Sequence, residues 1–235
     1  MTNIDGAASR AAVGILMLDT RFPRIPGDIG NPATWPFPTL YRRVPNASPH
    51  RVVRERAVGL VPAFIEAGRA LIAEGADGIT TSCGFLALAQ EDLAAALKVP
   101  VATSSLLQVP LIERLLPPGK RCGVLTVSAS SLSLGHLSAA GVASDTPIGT
   151  TEGGRELTRA LLSDAAELDI AAARADVVDA ATDLQRDHAN VGAVLLECTN
   201  MAPYAADVRE ATGLPVYSIE TFVRWFQSGL QPRRF

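Results

Sequence analysis

A gapless internal repeat limits this chain more than any other feature. When EGADGITTSCGFLALAQEDLAAALKVPVAT (residues 74–103) is laid on ANVGAVLLECTNMAPYAADVREATGLPVYS (residues 189–218), Cys83 falls on Cys198, a shift of 115 residues. At that shift Gly75 meets Asn190, Leu93 meets Val208, Pro100 meets Pro215 and Val101 meets Val216. A looser echo lays Val13-Gly-Ile-Leu-Met-Leu18 on Cys122-Gly-Val-Leu-Thr-Val127 at a shift of 109. The six residues between the two shifts are expected in the long loop after the first of these runs. Repetition on this scale implies two copies of one structural unit within the 235 residues.

The unit is of the α/β kind, because short β-type runs alternate with longer helical ones, the pattern of parallel strands joined by crossover helices. Strands are expected at Val13–Leu18, Thr39–Val44, Gly78–Thr81, Val99–Thr103, Cys122–Val127, Gly192–Leu196 and Pro215–Ile219. Leu60, Phe64, Ala67 and Leu71 mark one apolar helical face, with Pro62 near its start and Gly75 at its stop. Ala173, Val177, Ala180, Ala181 and Leu184 mark another, in a helix from Ile170 to His188 that stops at Asn190. The resulting architecture has two pseudo-twofold-related lobes, each a mainly parallel sheet flanked by helices, with the active site in the cleft between them. Residues 1–98 with 214–235 are expected to form one lobe and 99–213 the other.

Composition removes several classes of partner and cofactor. The net charge is -3 without a basic run, which argues against nucleic acid. No apolar stretch reaches the ~20 residues of a membrane helix, and Ala11–Leu18 runs into Asp19, Arg21 and Pro23, so it reads as a buried strand and not a signal segment. Three cysteines without CxxC spacing suggest neither a disulfide framework nor a zinc cluster, and a cytoplasmic setting with reduced thiols is expected. His50, His136 and His188 are scattered, so no metal is expected. Lys98 and Lys120 precede strands at the end away from the crevice, which disfavours a pyridoxal Schiff base, and GDIGN lacks phosphate-loop spacing. No cofactor is expected.

Cys83 and Cys198 each close an apolar strand just before a helical segment, where backbone N–H groups favour a thiolate. Cys122 starts its strand and reads as a packing residue. A pseudo-twofold axis would set Cys83 and Cys198 across one cleft, so one could remove a proton from a carbon while the other protonates the opposite face. Thr81, Ser82, Gly84, Thr199 and Asn200 flank the pair, and Asp19 ends the first strand at the same crevice; these are the candidate substrate-binding residues. Arg21, Arg24, Arg42 and Arg43 lie in or near the proline-rich loop at residues 21–38, a candidate lid or pocket wall. Phe85, Trp35 and Phe37 point to room for an apolar substituent.

TTSCGF and LLECTNMAPY, each closing a strand in one half of a duplicated chain, resemble the aspartate/glutamate racemase superfamily, and the likeness covers essentially the whole sequence. That superfamily includes amino-acid racemases, hydantoin racemases, maleate isomerases and arylmalonate decarboxylases, all cofactor-independent and built from two similar lobes. The resemblance implies Cys83 and Cys198 as an acid/base pair, with Thr199 of the ECT motif helping to hold a carboxylate. It also implies an isomerase, a racemase or epimerase acting beside a carboxylate or carbonyl. Gly84 and Phe85 stand where amino-acid racemases carry asparagine and a small hydroxyl residue, so the substrate subclass stays open. A decarboxylase or cis/trans isomerase using one cysteine is the alternative within enzymes, although arylmalonate decarboxylases lack the first cysteine. A non-catalytic small-molecule-binding protein is the alternative outside them. A homo-oligomer is compatible with either.

Overall fold

The computed structural model describes residues 11–232. Eight strands form two four-stranded parallel sheets. The first contains β1 (Val13–Met17), β2 (Thr39–Arg43), β3 (Gly78–Thr81) and β4 (Val101–Ala102), in the order β2-β1-β3-β4. The second contains β5 (Arg121–Thr126), β6 (Ile148–Thr150), β7 (Val191–Leu196) and β8 (Val216–Tyr217), in the order β6-β5-β7-β8. Every ladder is parallel, and the central strands are apolar along most of their length because helices cover both faces.

The two shifts read from the sequence superimpose one ladder on the other. Val13 pairs with Gly78 and Leu16 with Thr81; Cys122 pairs with Ala193 and Leu125 with Leu196. The extra residues, however, lie in the second lobe and not in the first loop. From Val13 to Gly78 is 65 residues, whereas Cys122 to Ala193 is 71. The difference arises beyond β6, where α5 (Leu157–Leu162) and its flanking turns precede α6 (Ile170–Asp187). Strand β6 has no counterpart among the expected strands, being three residues at a sheet edge with Gly149 in the middle.

The helices form where their apolar faces meet the sheets. In α1 (Val61–Ala73), Pro62 occupies the first turn and Phe64, Ala67 and Leu71 are buried; Gly75 follows with φ +103°. In α6, Asp169 caps the N-terminus and Ala173, Val177, Ala180, Ala181 and Leu184 face inward. The stop is not of the left-handed kind, since α6 is capped by His188 with φ -131° and Asn190 is not among the positive-φ residues. Helices α2 (Gln90–Leu97) and α7 (Ala205–Thr212) occupy equivalent places, burying Leu93 and Val208.

The chain crosses between lobes twice, just after β4 and just after β8. Val109 and Ile112 of α3 (Val109–Leu115) pack with Cys122 and Val124 of the second sheet. Ile219, Phe222 and Val223 of α8 (Ile219–Leu230) pack with Val13, Ile15 and Ala102 of the first. The expected boundaries at residues 99 and 214 fall before two strands that stay with the preceding lobe: β4 belongs to the first sheet and β8 to the second. The exchange of α3 and α8 fastens the lobes together and fixes the cleft between their strand ends. No helix among the described residues is long and apolar enough to cross a membrane.

Candidate active site

Both repeat cysteines open onto one cleft. Each is the N-cap of a six-residue 3-10 helix, Gly84–Ala89 after β3 and Thr199–Tyr204 after β7. The cleft is lined by Ser82, Cys83, Gly84 and Phe85 from the first lobe and by Val127, Leu161, Leu162, Cys198 and Asn200 from the second. Leu18, Phe22, Arg24, Pro49 and Val53 complete it. Cys122 is fully buried at the start of β5, away from this space.

Of the residues expected to bind substrate, Ser82, Gly84 and Asn200 reach the cleft. Thr81 and Thr199 do not offer their hydroxyls to it. Thr81 Oγ1 donates to the Thr103 carbonyl at 2.6 Å, and Thr199 Oγ1 donates to the Ser82 carbonyl at 2.8 Å. Both are fully buried, and the second bond ties the two cysteine loops together. Asp19 is likewise outside the cleft, at the surface in an ion pair with Arg43.

The proline-rich loop is an ordered wall. Arg24 bridges Asp28 at 3.1 Å and the Thr20 hydroxyl at 3.0 Å, with its guanidinium 4.4 Å above the Phe22 ring. Asp28 is buried, accepts the Gly30 N–H at 2.7 Å, and accepts a short hydrogen bond from the Asn200 amide. The Asn200 carbonyl oxygen in turn accepts from the Cys198 thiol at 3.6 Å. A polar chain thus runs from the first lobe's loop to the second lobe's cysteine. Trp35 and Phe37 meet in a tilted contact with ring centres 5.4 Å apart and pack beside α8, so only Phe85 of the three aromatics borders the cleft.

Burial and nearby charge both favour the protonated form of the two thiols. Burial, then the nearby Glu197 carboxylate, push Cys83 up to about 12, against the pull of the Phe85 N–H and Arg24. Burial, then Glu197, raise Cys198 well above the ordinary thiol range, with Cys83 and Asp28 adding to the effect and the Asn200 N–H opposing it. Desolvation therefore outweighs the N–H groups expected to favour a thiolate, which belong to short 3-10 helices with little dipole. Glu197 is itself pushed up to about 7 by burial, despite the hydrogen bond it accepts from Thr126. The ECT motif names this residue, but nothing in the sequence shows its side chain lying between both cysteines. Arg24 is the one cation among the described residues lining the cleft, and its pairing with Asp28 depends on a loop conformation that proline content alone does not specify. No group of three or more potential metal ligands occurs among the described residues.

No family model matches the chain. It is 28% identical over 233 residues to a dimethylsulfoniopropionate lyase of Durusdinium sp. clade D, spanning 94% of this chain and 77% of that protein. It is 27% identical over 228 residues to dimethylsulfoniopropionate lyase 7 of Emiliania huxleyi (strain CCMP1516), spanning 93% of this chain and 67% of that one. Among solved structures it resembles an allantoin racemase from Klebsiella pneumoniae, with TM-score 0.65, 14% identity and coverage of 94% and 87%. It also resembles an aspartate racemase from Picrophilus torridus, with TM-score 0.58, 16% identity and coverage of 96% of both chains. An unliganded arylmalonate decarboxylase gives TM-score 0.57, 17% identity and coverage of 94% and 92%. The fold is shared with these racemases and this decarboxylase.

Proposed function

With that fold as premise, we propose that this protein is a cofactor-independent lyase in which a cysteine removes the proton next to a carboxylate and a positively charged β-substituent leaves. A sulfonium carboxylate such as dimethylsulfoniopropionate is the substrate class. The observation that carries the proposal is the charge balance of the groups around the cleft. Glu197 and Asp28 are buried beside the thiols, and Arg24 alone opposes them. A substrate that brings its own positive charge close to the reacting carbon lowers the cost of forming a thiolate there, which a purely anionic substrate cannot do. The names of the relatives point the same way.

The step balances without a cofactor. A thiolate takes the proton from the carbon beside the carboxylate, and the released electron pair forms the carbon–carbon double bond. The carbon–sulfur bond breaks with its electrons going to sulfur, so the products are acrylate and neutral dimethyl sulfide, and the proton passes from the thiol to water. The leaving group needs no acid because it departs uncharged. Leu18, Phe22, Val53, Phe85, Val127, Leu161 and Leu162 give it an apolar wall, and the rings of Phe22 and Phe85 suit the sulfonium before departure. Arg24 is placed to hold the carboxylate.

Racemisation is the second reading, favoured by the retention of a thiol on each lobe of the cleft. Incubation with dimethylsulfoniopropionate, with dimethyl sulfide measured in the headspace and acrylate in solution, decides between them. Equimolar release of both products is expected. No sulfide, together with exchange of the α-hydrogen for deuterium and inversion of a hydantoin or amino acid, would replace the lyase with a racemase.

A further inference from the structure

Glu197 is fully buried, yet its Oε1 has no hydrogen-bond partner. Its backbone is held firmly: the N–H donates to Leu125 at 2.8 Å and the carbonyl accepts from the Ser105 hydroxyl at 3.1 Å. Its Oε2 accepts from Thr126 at 2.7 Å. The unpartnered Oε1 crosses to the other lobe and lies against Gly84, the residue after Cys83. A Cβ at position 84 would collide with both Oε1 and the Glu197 carbonyl oxygen. The equivalent position in the first lobe is Ser82, a neutral residue whose hydroxyl accepts the Leu18 N–H. The carboxyl is therefore an addition to one lobe that fills space left by a glycine in the other.

We propose that Glu197 is a positioning residue for both cysteines, a carboxyl wedged between the two thiol loops that permits a thiolate on either side only while it holds a proton itself. The inference rests on the reading of the cysteines as the reacting pair. Three acidic groups share one dry space, and a second negative charge there is opposed at short range by the first. The groups around Glu197 are the Thr126 hydroxyl from β5 and the two thiols, with Arg24 and Asp28 of the loop acting on Cys83 and Cys198 respectively. With Glu197 ionised, both thiols stay protonated. With it protonated, one thiol can ionise without meeting a second charge. Gly84 is what lets this carboxyl reach the first lobe.

Thiol alkylation tests this without any substrate. The rate of iodoacetamide labelling at each cysteine, followed by peptide mass spectrometry at fixed pH values between about pH 6 and pH 10, reports thiolate formation site by site. Glu197→Gln, which keeps the shape and removes the charge, should raise the labelling rate of both Cys83 and Cys198 by about tenfold at a fixed pH, the equivalent of about one pH unit. Cys122 should not change. A shift at Cys198 alone, or none with the fold intact by circular dichroism, overturns the bridging role. Should Glu197→Gln fail to fold, Gly84→Ala provides the second test. It should displace the carboxyl and raise the labelling rate at Cys83 more than at Cys198, and unchanged rates overturn the proposal. Altered labelling in a protein that releases no sulfide would leave this inference standing and remove the lyase reading alone.

Discussion

The two lobes share a backbone plan around their cysteines. Ser82 N–H donates to the Leu16 carbonyl in one and Glu197 N–H to the Leu125 carbonyl in the other, and each cysteine sulfur faces the N–H two residues on, from Phe85 and Asn200. Their side-chain chemistry does not match. The first lobe brings a cation, Arg24, and keeps Cys83 partly open to the cleft; the second brings a buried carboxyl, Glu197, and buries Cys198, whose thiol donates a hydrogen bond to the Asn200 side-chain oxygen. Duplication thus provided two equivalent sites for a thiol, and later residues made them unequal. A symmetric pair suits inversion of a centre, whereas an unequal pair suits a reaction with one base.

The largest test of that inequality is removal of each thiol. Cys83 is the easier of the two to ionise, being open on one side and next to Arg24 and the Phe85 N–H. Cys83→Ala should lower the rate of sulfide release by about 10²–10⁴-fold, the usual contribution of a general base. Cys198→Ala should retain activity within about tenfold, since the leaving group takes no proton. Equal and severe losses in both variants would restore the symmetric, two-base picture. Next in size is Arg24, whose counterpart is absent from the second lobe. Arg24→Ala should raise KM by about 10- to 100-fold through loss of a charged hydrogen bond, with a smaller fall in kcat. A kcat effect alone would mean that Arg24 only shapes the loop.

The sequence made the common plan legible and hid the differences. Ladder register followed from the two shifts because strand pairing and apolar alternation repeat together, as in Val13 on Cys122 and Ile79 on Val194. The cysteines were legible for the same reason. Strand β6 was not, since three residues around Gly149 carry no periodic signal. Nor could Thr81 and Thr199 be recognised as structural. Their hydroxyls bond carbonyls of a neighbouring strand and of the opposite lobe, partners 22 and 117 residues away. Arg24, Asp28 and Glu197 acquire their roles only once a loop and two lobes are folded against each other.

Stability against pH offers a third, smaller contrast, between His136 beneath the first cysteine loop and Glu197 beneath the second. His136 is buried with its ring edge-on to Phe85 at 5.2 Å, and burial followed by Arg56 pushes it down to about 4. The unfolded chain binds that proton more readily, so its contribution is complete above about pH 6.5 and is lost as pH falls through about 4, by ~1–3 kcal/mol. Glu197 works in the opposite sense. Its raised value means that stability is complete below about pH 4.5 and declines as pH rises through about 7, again by ~1–3 kcal/mol. Urea unfolding at intervals from pH 4 to pH 8 should therefore show a loss at both ends. His136→Phe should reduce the acid loss alone, and Glu197→Gln the neutral one alone.

The smallest effects belong to the exposed contacts that join the lobes across the mouth of the cleft. Arg54 of the first lobe reaches Ser130 and Ser131 at 2.8 and 2.9 Å and Glu152 at 3.4 Å in the second, while Arg21 meets Asp164 at 3.2 Å. Both ion pairs are open to water on the arginine side, where such pairs contribute about 0.2–1 kcal/mol and weaken with salt. The exchange of α3 and α8 holds the lobes by apolar burial instead, with Ile112, Ile219 and Val223 almost fully covered. Arg54→Ala should therefore lower stability by less than ~1 kcal/mol, and that small loss should shrink further in about 0.5 M salt. A change in sulfide release of more than about threefold, with KM and kcat moving together, would instead make this contact part of a closing motion between the lobes.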